Sequence, residues 1–311
     1  MLTAADHALF TQAAAHHSVF TLADAVAAGL SERQIRARAG AHWVRLHDGV
    51  FRVPGAAPSW HGDLRAAVVA AGDGAAISHR SGAALYGMPG ASRKLIELTC
   101  LRWERVRRAG LVVHENRRLE PEDIREVDGI PTTAPELLIL HLAGMRPSVD
   151  FVEMLIHAAR RKRLITCEST RSMFDRHARR GVHGTRVLRA ALERWDPAQR
   201  PTDSEMETML LQALRDHALP RPVLQFEIRD MRGAFVARVD GAYPDKLLAL
   251  EYDSKQEHSD EFQLARDARR RNALAALGYR TLSARHVDLK TGGGELCRQI
   301  RTILRTSSVL A

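Results

Sequence analysis

The sequence predicts a multidomain α/β protein of α+β make-up, and three observations lead there. Its 311 residues exceed what one hydrophobic core usually organises. The two ends carry different element orders: helices followed by a tight hairpin near the N-terminus, and helix, two strands, helix, strand toward the C-terminus. Between them, Asp196-Pro197-Ala198-Gln199-Arg200-Pro201 reads as a proline-bearing linker that puts a boundary near residue 200. Four segments result: 1–56, a mixed middle region at 57–148, a helical connector at 149–200, and an α/β sheet domain at 201–311.

Residues 3–53 read as three helices and a hairpin. Thr21 is an N-cap candidate for a short helix that stops at Gly29, a residue suited to the left-handed position after a helix end. Ser31-Glu32-Arg33-Gln34 has the form of a capping box, and the helix it opens runs to Gly40. Two alternating segments, residues 42–46 and 50–53, flank Asp48-Gly49, the strongest short hairpin signal. Two helices at this spacing followed by a hairpin make a winged helix-turn-helix. Its second helix lies in the DNA major groove, so DNA is the expected partner. Arg33, Arg36 and Arg38 are the exposed candidates on that helix, with Arg45 and Arg52 on the wing. The competing reading is a winged helix used for protein contact, its arginines merely solvated.

The middle region offers no catalytic constellation. Ser78 and His79 are adjacent, which cannot set a nucleophile against a base as a triad does. Ser78 is therefore read as a helix cap and His79 as structural. Between 149 and 195 two helical stretches are expected. The first carries Phe151, Val152, Leu155, Ile156 and Ala159 at helical spacing and ends in Arg160-Arg161-Lys162-Arg163, where cations complement the helix dipole. The second covers about 170–179, ahead of Gly181 and Gly184.

In the C-terminal segment, Thr202-Asp203-Ser204 caps a helix over 205–217 whose first turn projects Glu207. Residues 235–240 and 247–253 read as strands joined by Pro244-Asp245-Lys246, then come a helix over 261–277 and a strand over 279–283. With Asp245-Lys246 as the turn centre, Asp240 faces Glu251 and Arg238 faces Asp253, opposed Cβ atoms lying about 4.5–5.5 Å apart. Alternation puts Glu251 and Asp253 on the face of Asp240, while Leu248, Leu250 and Tyr252 turn into a core. Carboxylates held that close need a proton, a cation or a basic residue between them. Hard oxygen ligands in small number suit Mg²⁺ or Mn²⁺, which points to a metal-assisted phosphodiester hydrolase. The alternative is a structural hairpin in which Arg238 neutralises Asp253, and Lys255 or Lys246 neutralises Glu251.

Composition sets outer bounds. A formal net charge of +9, mainly from arginine, favours a polyanionic partner, though an alanine- and arginine-rich composition alone also gives arginine-rich surfaces. Cys100, Cys167 and Cys297 form neither a Cys-x-x-Cys pair nor a zinc clamp. The first residues lack a basic leader, and no apolar run approaches the roughly 20 residues that span a bilayer. A reduced, cytoplasmic protein without membrane contact or structural zinc is the expectation.

Two family resemblances add to this reading. Residues 17–53, with 77–88 (Ile77-Ser78-His79-Arg80-Ser81-Gly82 through Met88) and Gly129-Ile130-Pro131-Thr132-Thr133, resemble the AbiEi-type antitoxins of type IV toxin–antitoxin and phage-abortive systems over roughly residues 5–145. That resemblance implies operator DNA as a ligand and a cognate nucleotidyltransferase-like toxin as a partner. Arg238-Val239-Asp240, Glu251-Tyr252-Asp253, His258, Asp267 and Gly278-Tyr279-Arg280-Thr281-Leu282 are similar to the very-short-patch-repair-like endonucleases, a branch of the PD-(D/E)xK superfamily, over about 202–290. This implies a restriction-endonuclease-like α/β sheet in which Asp240 and Glu251 hold Mg²⁺, Glu207 assists, and His258 serves as general base or phosphate contact. The chain departs from the motif at Asp253, where lysine is usual; Lys255 is the nearest substitute, and Ser254 stands where the branch often has glycine. Arg266, Arg269, Arg270 and Arg271 crowd one helix beside the site, placed for phosphate contacts.

Overall fold

The computed structural model of the chain describes residues 2–101, 110–196, 198, 202–253 and 261–306, and for 253 and 261–267 the backbone alone. Two compact units divide it, 1–199 and 200–311.

The first unit opens with α1 (Ala4–Ala14), β1 (Val19–Thr21), α2 (Leu22–Ala27), α3 (Glu32–Ala41), β2 (Val44–His47) and β3 (Val50–Arg52). Local chemistry sets these bounds. Thr21 Oγ1 accepts the Asp24 N–H at 3.0 Å while Asp24 accepts the Thr21 N–H at 2.8 Å. Ser31 and Gln34 make the same reciprocal pair at the start of α3, and Gly29 takes φ +90° between the two helices. The strands pair antiparallel in the order β1-β3-β2, with Gly49 at φ +68° in the turn. Phe20, Trp43 and Phe51 fill the core beneath the helices, Trp43 meeting Phe20 edge-on at 4.9 Å.

Next come α4 (Trp60–Ala71), β4 (Ala76–Ile77), α5 (His79–Tyr86), β5 (Ile96–Cys100), β6 (Leu111–Glu115), β7 (Ile124–Val127), β8 (Ile130–Thr133) and α6 (Pro135–Met145). The sheet order is β6-β5-β4-β8-β7, with β5/β6 and β4/β8 parallel and the other neighbours antiparallel. Leu64, Ala67 and Val68 of α4 cover it with Ile77, Leu98, Cys100 and Ile130. Helix α6 is apolar all round, Leu137 to Leu140 being almost fully buried, the pattern of a central helix.

Three helices, α7 (Val149–Arg161), α8 (Cys167–His177) and α9 (Thr185–Arg194), wrap α6. Phe151, Leu155, Ile156, Met173 and Leu188 of these helices share one core with α6. The third helix was not foreseen because Gly181 and Gly184 read as stop signals. Gly184 instead starts α9, at φ +86°, with its Cα pressed on α6: a Cβ there would lie 2.6 Å from Gly144 N and 2.7 Å from Leu140 O. Gly184→Ala is expected to destabilise the first unit by more than about 2 kcal/mol, combining left-handed strain with a backbone clash. An unchanged thermal midpoint would show that α9 does not dock this tightly.

The second unit runs α10 (Glu205–Asp216), β9 (Val223–Arg229), β10 (Phe235–Tyr243), β11 (Leu248–Asp253), α11 (Glu261–Ala276), β12 (Arg280–Arg285), α12 (His286–Lys290) and α13 (Gly294–Arg305). Its four-stranded sheet is ordered β12-β11-β10-β9, with β12 parallel to β11 and the rest antiparallel. The β10–β11 register is the anticipated one: Tyr243 pairs with Leu248, Ala242 with Ala249 and Gly241 with Leu250. Leu248, Leu250 and Tyr243 pack with α10 and α13 residues on one side, and Ala249 and Ala242 cluster with Leu274 of α11. Strand β9, where Leu224 to Arg229 alternate apolar and polar residues, is a further strand that the sequence reading does not place.

Candidate functional site

The arginines of the N-terminal segment divide by exposure. Arg33 and Arg36 are exposed on α3, Arg36 making only a 3.4 Å pair with Glu32 in which both side chains are more than four-fifths exposed. Such a pair is worth little, so both guanidiniums are free to meet an anion. On the wing, Arg45 is exposed and lies over the Phe51 ring at 5.8 Å. Arg38 is a correction. Its side chain is 16% exposed and its Nε lies 2.7 Å from the buried carboxylate of Asp6. Burial opposes the Asp6 charge, but hydrogen bonds from Arg38 and Thr3 outweigh it and hold the pKa down to about 2. Arg38 therefore ties α3 to α1 and is not a groove contact. Arg52 is also half-buried, its charge acting on Asp63 of α4.

In the second unit, Asp240 and Glu251 occupy adjacent strands one step beyond the Gly241–Leu250 pair. The Asp240 carboxylate accepts the Tyr252 N–H at 2.8 Å. Glu207, 1% exposed on α10, accepts the Asp203 N–H and a 3.2 Å hydrogen bond from Gln225. Burial above all pushes its pKa up, and the charges of Asp203 and Asp240 push the same way, which places Glu207 and Asp240 in one electrostatic neighbourhood. Burial likewise pushes the Tyr252 hydroxyl far up, with Glu207 and Asp240 adding to it.

Two arginines stand among these acids. Arg238 hydrogen-bonds Gln225, at 2.7 and 2.9 Å, and lies 3.5 Å from Asp203, its ladder neighbour on β9 being Glu227. Arg270 of α11 lies 2.6 Å from Glu251 and also donates to the Arg238 carbonyl at 2.5 Å. Arg270, taken from sequence as a phosphate contact, thus sits inside the acidic site, while Arg269 is exposed on the same helix. The oxygens of Glu207, Asp240 and Glu251 do not all fall within 4.8 Å of one another. Lys255 and His258 lie outside the described residues, and Asp253 is described in its backbone alone.

Sequence reasoning missed a second polar centre, in the first unit. His79 opens α5 at φ +51°, Glu97 sits on β5 and His114 on β6, opposite Thr99. Ser78 occupies the N-cap position of α5 but makes no cap hydrogen bond; its hydroxyl lies 2.8 Å from His79 Nδ1 and accepts from Thr99 at 2.8 Å. The His79 ring is stacked between His114, 3.5 Å away, and His141, 4.3 Å away. Burial, with the neighbouring histidines and Arg80, pushes its pKa far down, and burial chiefly lowers that of His141 to about 3. These rings, with His177 and Arg179, line a cavity of about 580 Å³. Nearby, buried Asp123 accepts 2.8 Å hydrogen bonds from Arg176 and His177 of α8. No local spacing announces this centre, because its members arrive from two strands and three helices.

No protein-family profile matches the chain. It is similar to two curated proteins of Mycobacterium tuberculosis, "Uncharacterized protein MT2308" of strain CDC 1551 and "Uncharacterized protein Rv2248" of strain H37Rv. Each is 28% identical over 257 residues, which is 83% of this chain and 90% of the relative. A match of that length exceeds either unit alone, so it extends over parts of both.

Proposed function

We propose that the chain is a cytoplasmic DNA-binding protein whose C-terminal unit is a Mg²⁺-dependent endonuclease hydrolysing DNA phosphodiesters, acting in a defence or toxin–antitoxin setting. The observation that carries this reading is the buried Glu207 beside Asp240, with Glu251 on the neighbouring strand. A carboxylate buried next to others is costly unless the arrangement serves a cation. The donor set is all oxygen, which suits Mg²⁺ or Mn²⁺ held by Asp240 and Glu251 with Glu207 behind them. When bound, the ion supplies Lewis-acid polarisation of the phosphate and a water of lowered pKa. The chain's own residues do the positioning: the Tyr252 N–H fixes the Asp240 carboxylate, Gln225 and the Asp203 N–H fix Glu207, and exposed Arg269 faces solvent for a phosphate. Arg270 holds the position that the ion has to take from it. No helix among the described residues is long and apolar enough to cross a membrane.

One observation favours a second reading. The Arg270–Glu251 pair, with Asp253 where the motif has lysine, fits a degenerate nuclease domain in a non-enzymatic AbiEi-like antitoxin or regulator, with a nucleotidyltransferase-like toxin as its partner. Both readings require DNA binding by α3 and the wing. Arg33→Ala with Arg36→Ala is expected to weaken binding to duplex DNA across sequences and to flatten the log–log salt dependence by about 2, one phosphate contact for each arginine. Gel-shift titrations over a salt series measure this, and a slope equal to the parent's would remove α3 from the interface. Metal-dependent nicking of supercoiled plasmid then separates enzyme from regulator.

A further inference from the structure

We infer that the first unit holds a transition-metal site, a Zn²⁺ ion bound by His79, Glu97 and His114 with a fourth position open to the cavity. Among the described residues these three are the group whose ligand atoms all lie within 4.8 Å of one another. Two of those atoms are left without hydrogen bonds in the fold. Glu97 Oε2 and His114 Nε2 are both buried without a hydrogen bond, and they lie 3.6 Å apart, an ion pair only when the ring is protonated. That is too long for a hydrogen bond and close to the separation of about 3.4 Å between two ligands on a tetrahedral ion with bonds near 2.1 Å. An orphaned buried acceptor and ring nitrogen at this spacing are what a shared cation would satisfy.

The surroundings support the donor set. The other Glu97 oxygen, Oε1, is held by Arg80 Nε at 2.5 Å, which aims Oε2 at the histidines. His79 has Nδ1 against the Ser78 hydroxyl, which itself takes the Thr99 hydroxyl proton, leaving Nε2 as the ligand. Outer partners of this kind fix ring orientation and tautomer at metal centres. Two imidazoles and one carboxylate select Zn²⁺ over Mg²⁺, and three protein ligands are the complement of an open zinc site. The rings of His79 and His114 lie 17° from parallel, so a shared ion pulls one out of the stack. His114, whose side chain is 31% exposed at the end of that stack, has the room to turn. The cavity of about 580 Å³ beside the cluster leaves space for a water or a small anion as fourth ligand.

The test is calorimetric titration of the chelator-stripped full chain with Zn²⁺ in buffer containing excess Mg²⁺, which keeps the acidic residues of the second unit from competing. One Zn²⁺ per chain is expected in the parent and equally in Asp240→Asn. His114→Ala and Glu97→Gln should each weaken binding at least about 100-fold, beyond the 10–100-fold loss typical of an outer-shell partner. Glu97→Gln keeps an acceptor for Arg80, so it reports on the ligand when His114→Ala fails to fold. Co²⁺ should give the visible bands of a tetrahedral complex in the parent and lose them in both variants. Absence of stoichiometric Zn²⁺ binding in the parent, or parent-like affinity in Glu97→Gln, overturns the site.

Discussion

Arg38→Ala is expected to lower the stability of the first unit by about 3 kcal/mol, because it strands the Asp6 carboxylate, 1% exposed, without its guanidinium. Removing one partner of a buried ion pair usually costs about 3–5 kcal/mol. The lower figure applies here, since Thr3 still donates its N–H and hydroxyl to Asp6 at 2.8 and 2.7 Å. For a unit of this size that is a fall of roughly 6–12 °C in thermal midpoint. The pH dependence has a definite sign. Asp6 has its pKa held down to about 2 in the fold against 3.8 in the free side chain. Its contribution is therefore complete above 3.8 and lost as the pH falls toward 2. Parent and variant should differ most near neutrality and converge through that window. Arg33→Ala, by contrast, touches nothing buried and should leave the midpoint unchanged while weakening DNA binding. A variant at position 38 that melts with the parent and binds DNA less well would return Arg38 to the groove.

How far the sequence could be read depended on the distance over which each feature is determined. The caps at Thr21 and Ser31 involve residues three apart, so the start of α2 and of α3 was visible in the letters. The Pro244-Asp245-Lys246 turn likewise carried the β10–β11 register, and with it the placement of Asp240 next to Glu251. Partners brought in by tertiary packing were not visible. Arg38 meets Asp6 across 32 positions, and Arg270 reaches Glu251 from a helix whose rotation about its axis the sequence pattern did not specify. The histidine centre is the extreme case. Glu97 and His114 become neighbours through the pairing of β5 with β6, and Ser78 reads as a cap although its hydroxyl is turned to His79 and Thr99. Helix α9 was hidden for the opposite reason: Gly184, an apparent breaker, is required by the close approach of α6.

The second large effect concerns Asp240. Asp240→Asn keeps the size of the side chain and an oxygen to accept the Tyr252 N–H, so the fold around β10 should hold. It removes one negative charge from the group that includes Glu207, whose pKa is raised first by burial and further by Asp203 and Asp240. With that charge gone, Glu207 should titrate closer to its ordinary range. If the unit is the nuclease proposed, a divalent cation loses a hard anionic ligand and cleavage falls by more than about 100-fold, past the 10–100-fold cost of an outer-shell partner. Arg270→Ala acts in the other direction on metal affinity. With the guanidinium 2.6 Å from Glu251 removed, Mg²⁺ no longer competes for that carboxylate and should saturate at lower concentration.

The most direct measurement is the rate at which the purified full chain nicks supercoiled plasmid in Mg²⁺ or Mn²⁺, set against Asp240→Asn and against the parent in chelator. The expected result is cleavage that needs the metal and disappears in the variant while both proteins still shift DNA. Cleavage that persists in Asp240→Asn, or a parent that binds DNA and leaves it intact at every metal concentration, would contradict a hydrolytic role and leave the acidic cluster as scaffold for a DNA-binding regulator.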